Sequence, residues 1–214
     1  MIGNFVIFGD SYSTHKEYIP EGYAYYYSTE GDDDNPVKRM TPEETWWWKL
    51  IERTDGRLVH NNSWSGSTIG YNGYSGDCST SSSFIYRYNT LYENGFFEEN
   101  KIDTIFIFGG TNDSWSETAL GEMMLDGWER DDLYRVLPAV SYIIYRVKTD
   151  GAAKRVVFIA NCDIKDEIVE CARAASEHFN VEFVRLKDID KQSGHPTPFG
   201  MTAICEQIIR ALGE

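Results

Sequence analysis

The chain reads as an α/β protein: one parallel sheet of five strands with helices packed on both faces, a three-layer sandwich. Three observations predict it. Short apolar runs alternate with longer amphipathic segments five times along the chain. The run Ile102–Phe108, continuously apolar from Ile105, reads as a buried strand. And 214 residues suit one well-filled core, with no linker-like stretch or internal repeat to divide them, so residues 1–214 form a single domain.

The elements follow in order. Asn4–Phe8 is a short strand that runs into the polar turn Gly9-Asp10-Ser11. Residues 12–40 are irregular, with a tyrosine cluster (Tyr23, Tyr25, Tyr26, Tyr27) and an acidic stretch (Glu30, Asp32, Asp33, Asp34). Thr41-Pro42-Glu43-Glu44 reads as an N-cap, a first-turn proline and a capping-box glutamate, so a helix is expected through Trp46–Arg53, stopping near Gly56. Trp46, Trp47 and Trp48 cannot all face the core, because successive helical residues lie ~100° apart. Arg57–Asn61 is the second strand, followed by a Gly/Ser-rich loop from Ser63 to Ser83 and a helix over Phe84–Tyr92 closed by Gly95. After the third strand comes Gly109-Gly110-Thr111-Asn112-Asp113. A long helix is expected over Asp131–Lys148, a fourth strand over Arg155–Ala160, a helix over Lys165–Phe179, a fifth strand over Val181–Leu186, and a last helix over Pro198–Leu212.

Composition excludes several functions. With 20 basic and 34 acidic residues the net charge is −14, a field that repels nucleic acid and anionic lipid surfaces. No apolar run approaches the ~20 residues that span a bilayer, and no signal peptide is readable after Met1, so a cytoplasmic location is expected. Cys78, Cys162, Cys171 and Cys205 are widely spaced, which suits reduced thiols better than a zinc site or a disulfide framework. No metal-ligand spacing or phosphate-binding loop is present, and neither a metal nor a cofactor is expected. His15 reads as a solvated loop residue. Oligomeric state is not legible.

The chemistry sits at the strand ends, where open parallel sheets place their sites. Ser11 follows strand one, the Ser65-Gly66 turn follows strand two, Asn112 follows strand three, and His195 lies beyond strand five. A serine, an imidazole and potential oxyanion donors on one rim match acyl transfer. Four blocks carry a family resemblance: Gly9-Asp10-Ser11-Tyr12-Ser13, Asn61–Thr68, Gly110-Thr111-Asn112-Asp113 and His195-Pro196. In order and placement they resemble the SGNH (GDSL-type) hydrolases. The resemblance implies a flavodoxin-like sheet of order 2-1-3-4-5, Ser11 as nucleophile, His195 as base, and Ser11, Gly66 and Asn112 as oxyanion donors.

One departure stands out. The family's last block is usually D-x-x-H-P, and here Gln192 occupies the aspartate position. Three readings stay open: Asp190 orients the imidazole, Gln192 does so through its amide oxygen, or a Ser11–His195 dyad works alone. Asp190 is favoured, because a carboxylate stabilises the imidazolium where a neutral amide hardly does. The expected function is a serine esterase acting through an acyl-enzyme on a short, acetyl-like ester, with a small-molecule or carbohydrate ester as its partner. An acyltransferase using the same site, and a catalytically silent carbohydrate-binding module, are the alternatives.

Overall fold

The computed structural model describes residues 1–32 and 34–214; Asp33, within the acidic loop stretch, lies outside them. Strands β1 (Asn4–Gly9), β2 (Arg57–Ser63), β5 (Thr104–Gly109), β6 (Arg155–Ala160) and β7 (Glu182–Arg185) form one parallel sheet. Two short hairpins stand apart from it, β3–β4 (Asn72–Gly73 with Gly76–Asp77) and β8–β9 (Lys191–Gln192 with His195–Pro196). The sheet order is β2-β1-β5-β6-β7. Counted along the chain, the five sheet strands take the expected order 2-1-3-4-5; the labels run higher only because the β3–β4 hairpin intervenes between the second and third of them.

Alternation along the strands divides the core into two layers. Val6 and Phe8 of β1, Ile105 and Ile107 of β5, and Val156 and Phe158 of β6 face one side. There they meet α2 (Phe84–Glu93), α5 (Val136–Thr149) and α6 (Asp166–His178). Phe5, Ile7, Phe106, Phe108, Val157 and Ile159 face the other, against α1 (Trp46–Arg53) and α7 (Pro198–Leu212). Trp46 and Trp47 are fully buried while Trp48 is half-buried, as helical geometry demands of three consecutive indoles. Two short helices, α3 (Phe96–Glu99) and α4 (Thr111–Trp115), complete the chain.

Three local expectations are corrected. The motif from Thr41 to Glu44 makes a separate 3₁₀ turn, Pro42–Glu44, in which the Glu44 carboxylate accepts from the Thr41 N–H at 2.8 Å. Thr45 then caps α1 in its own right, its hydroxyl accepting from the Trp48 N–H. The helix expected from Asp131 is broken at Arg135, which is extended between a 3₁₀ turn (Arg130–Tyr134) and α5. Pro138 explains the break: in a continuous helix it would lack the N–H that bonds the Tyr134 carbonyl. A restart at Val136 moves it into the first turn, where no such bond is needed. His15 is fully buried rather than solvated, its Nε2 2.9 Å from the Met40 carbonyl, because the 12–40 segment folds back over it.

All four cysteines are free thiols. Among the described residues no helix is long and apolar enough to cross a membrane.

Gly200, in the first turn of α7, shows how tightly the β8–β9 hairpin is docked. A Cβ there would lie 2.1 Å from the Asp190 carbonyl oxygen. Gly200→Ala is therefore expected to lower stability by about 1–3 kcal/mol, the usual cost of overpacking. A urea-unfolding midpoint unchanged from wild type would contradict that packing.

Candidate active site

The Ser11 turn grows directly out of β1. The Asp10 carboxylate accepts from the Tyr12 N–H at 3.0 Å and the Asp10 carbonyl accepts from the Ser13 N–H at 3.0 Å, which coil the chain tightly past Ser11. Ser11 is almost buried, and its Oγ lies 3.0 Å from His195 Nε2.

His195 is delivered by the hairpin. Ser193 and Gly194 both have positive φ, 51° and 77°, the two-residue turn that matches the twist of a β-hairpin. The Tyr12 hydroxyl donates to the Gly194 carbonyl and the Tyr27 hydroxyl to the Pro196 carbonyl, so the turn is pinned from both sides. Tyr26 stacks on the imidazole, centroids 3.5 Å apart at 8°, and Trp115 meets it edge-on. The other ring nitrogen, Nδ1, lies 3.1 Å from the Ser193 carbonyl oxygen. A carbonyl only accepts, so Nδ1 carries the proton and Nε2 is left to accept from Ser11.

Neither expected orienting side chain does this work. In the hairpin register Gln192 pairs with His195, and the Thr197 N–H bonds the Asp190 carbonyl. Asp190 is thus two residues out of step with the imidazole, and its carboxylate takes the Thr197 hydroxyl instead. Gln192 has the right register, but its side chain is exposed and makes no hydrogen bond to His195. The expectation that Asp190 orients His195 is corrected by this register: the backbone of Ser193 takes the place. Burial holds the His195 pKa below its ordinary 6.5; the Ser193 carbonyl opposes that, and Lys191 and Lys38 add to it.

The oxyanion candidates lie at the carboxyl ends of β1, β2 and β5. Asn112, in α4, donates from Nδ2 to the Ser67 carbonyl at 2.9 Å, which places it beside the Gly66 turn. Gly66 adopts φ +80° with open space where a side chain would sit. The N–H groups of Ser11 and Gly66 have no hydrogen-bond partner among the described residues. A cleft of about 370 Å³ is lined by Tyr74, Trp115, Ser116, Glu117 and Thr118, next to Asn112, which Tyr74 bonds, and His195, which Trp115 meets.

Beneath the rim lies a cluster that the sequence reading missed. Arg87 of α2 is buried. It donates to the Asn62 carbonyl and side chain, to the Gly9 carbonyl at 3.2 Å and to the Ser67 hydroxyl at 3.1 Å, tying the ends of β1 and β2 to the Gly66 loop. Its signal was legible in principle, since it shares the buried helical face of Phe84 and Tyr88. Burial pulls its pKa down to about 9, still charged at neutral pH. Asp113 accepts from the Ile69 N–H at 3.0 Å, and burial pushes its pKa up to about 6. Asp10 is pushed to about 7, chiefly by burial, and its Oδ2 has no partner among the described residues.

A serine hydroxyl bonded to an imidazole, at the carboxyl edge of a doubly covered parallel sheet, is the constellation of a serine hydrolase. Residues 3–212 match the model of the GDSL-like lipase/acylhydrolase family, and the chain belongs to that family. A GDSL-like lipase structure from Bacteroides ovatus superposes with a TM-score of 0.88 and 36% identity, over 100% of this chain and 99% of that one. One from Bacteroides uniformis gives 0.85 and 34%, over 99% and 95%. An acetyl xylan esterase from Butyrivibrio proteoclasticus shares the fold with a TM-score of 0.62 and 14% identity, over 98% of this chain and 63% of its own. No curated protein matches the sequence.

The buried carboxyls set a pH dependence of stability. Both Asp10 and Asp113 hold their protons more tightly folded than unfolded, so stability falls as pH rises from about 4 through about 7. Removing one of them tests this. The unfolding free energy of wild type relative to Asp10→Asn is expected to decline between pH 5 and pH 8; a difference that stays constant would contradict it.

Proposed function

We propose that the protein is a serine esterase that cleaves short acyl esters, acetyl above all, from carbohydrates through an acyl-enzyme on Ser11. The observation that carries the reading is the Ser11 Oγ–His195 Nε2 contact at 3.0 Å, with the imidazole's single N–H on Nδ1 committed to the Ser193 carbonyl. This leaves Nε2 free to take the Ser11 proton as Oγ attacks the acyl carbonyl. The resulting imidazolium gives that proton to the leaving alkoxide, and the neutral imidazole so regenerated takes a proton from the water that attacks the acyl-enzyme. The Ser11 and Gly66 N–H groups and Asn112 Nδ2 face the charge on the tetrahedral oxygen. Low basicity suits a site without a carboxylate partner: burial keeps His195 neutral, and therefore a base, at neutral pH.

The substrate class rests on the cleft and the fold relatives. Two exposed aromatics, Tyr74 and Trp115, line the cleft together with polar residues, a composition suited to a sugar ring. Relatives of this fold include the acetyl xylan esterase and a carbohydrate esterase of Clostridium thermocellum in complex with cellohexaose. The intact Ser11–His195 pair favours catalysis over a silent binding module.

Hydrolysis of p-nitrophenyl acetate and of acetylated xylooligosaccharides is the test. Ser11→Ala is expected to lose at least ~10³-fold in kcat, and Asn112→Ala ~10²–10³-fold with little change in KM. Asp190→Asn and Gln192→Ala are expected to stay within a few fold of wild type. Absence of Ser11-dependent turnover on every ester would overturn the reading.

A further inference from the structure

The Asn112 amide has two chemically different ends, and only one of them is useful to an oxyanion. If the amide turned over, Oδ1 would face the developing negative charge and repel it. Two contacts decide the orientation. The Ser67 carbonyl can only accept, and it takes one Nδ2 proton at 2.9 Å. Oδ1 on the other end accepts from the Tyr74 hydroxyl at 3.2 Å. One Nδ2 proton is then left over for a substrate oxygen.

Tyr74 comes from outside the sheet. It lies at the turn of the β3–β4 hairpin, and its residue surface is 55% exposed although its hydroxyl reaches the buried Asn112. The hairpin that carries it is anchored on both sides. The Tyr71 N–H bonds the Leu133 carbonyl at 2.8 Å, the Cys78 N–H bonds the Tyr71 carbonyl at 2.8 Å, and the Asn72 amide donates to the Thr118 hydroxyl. Burial, with Asp10 and Asp113 nearby, pushes the Tyr74 hydroxyl above its ordinary pKa of 10, so it remains a donor over the range in which an esterase is assayed.

We propose that Tyr74 is a positioning residue: through its hydrogen bond to Oδ1 it locks the Asn112 amide with Nδ2 toward the oxyanion, so that the exposed hairpin completes the hole. The inference rests on the esterase reading. Tyr74 acts on the transition state only through Asn112, which separates it from a residue that merely lines the cleft.

The test is a double-mutant cycle on p-nitrophenyl acetate, a substrate too small to fill the cleft, with Tyr74→Phe, Asn112→Ala and the pair. Phenylalanine keeps the ring and removes the hydroxyl. Loss of one neutral hydrogen bond corresponds to a factor of about 5–10, so kcat is expected to fall by that factor, with KM and the melting temperature unchanged. In the Asn112→Ala background, Tyr74→Phe is expected to cost nothing more. Full kcat in Tyr74→Phe, or the same loss in both backgrounds, would overturn the inference while leaving the esterase reading intact. A wild type without Ser11-dependent turnover overturns the esterase reading and this inference with it.

Discussion

The structure depends on a two-residue turn. His195 stands 184 positions from Ser11 in the chain, and the two meet because Ser193 and Gly194 reverse the β8–β9 hairpin in left-handed conformation. The same turn supplies the carbonyl that holds the Nδ1 proton. One backbone feature therefore sets the position and the tautomer of the imidazole, while burial lowers its basicity. The rest of the rim serves that placement: Tyr12 and Tyr27 pin the carbonyls on either side of His195, Tyr26 covers the ring, and Gly200 lets the hairpin stem lie against α7. A carbonyl dipole stabilises an imidazolium less than a carboxylate would, so the site accepts a weaker ion partner in exchange for an imidazole that stays unprotonated.

A second constraint lies below the rim. The loops that carry Ser11, Gly66 and Asn112 leave three strands at their carboxyl ends, and nothing in the sheet ladder holds them to one another. Arg87 ties the first two, with donors directed at Gly9, Asn62 and Ser67, and the Asn112 amide ties the third to the Ser67 carbonyl. Asp113 holds the next stretch through the Ile69 N–H. A buried guanidinium with two buried carboxyls is costly to desolvate, and Asp10 retains an oxygen with no partner among the described residues. Their hydrogen bonds fix how the loops that carry Ser11, Gly66 and Asn112 sit against one another.

Most of the fold was legible because its signals are local. Apolar runs such as Ile105–Phe108 can only be strands, and Pro198 with Leu212 bounds the last helix as the pattern indicates. The family, and the meeting of Ser11 with His195, are likewise carried by contiguous blocks. What escaped depends on register and on long-range packing. Asp190 was favoured on charge, but the hairpin pairs it with Thr197, a fact of strand register that composition does not encode. His15 looked like a loop residue because nothing local shows that the 12–40 segment folds back over it. The roles of Arg87 and Tyr74 are not legible because the partners that matter, Gly9 and Ser67 for Arg87 and Asn112 for Tyr74, lie 78, 20 and 38 positions away.

The central claim is that a main-chain carbonyl, and no side-chain carboxylate, partners the catalytic-site imidazole. An NMR titration of the His195 ring in wild type, Asp190→Asn and Gln192→Ala measures it most directly. The account predicts a pKa below the ordinary 6.5 in wild type and the same value in both variants. A wild-type value above 6.5 that drops in Asp190→Asn would place a carboxylate beside the imidazole and contradict it.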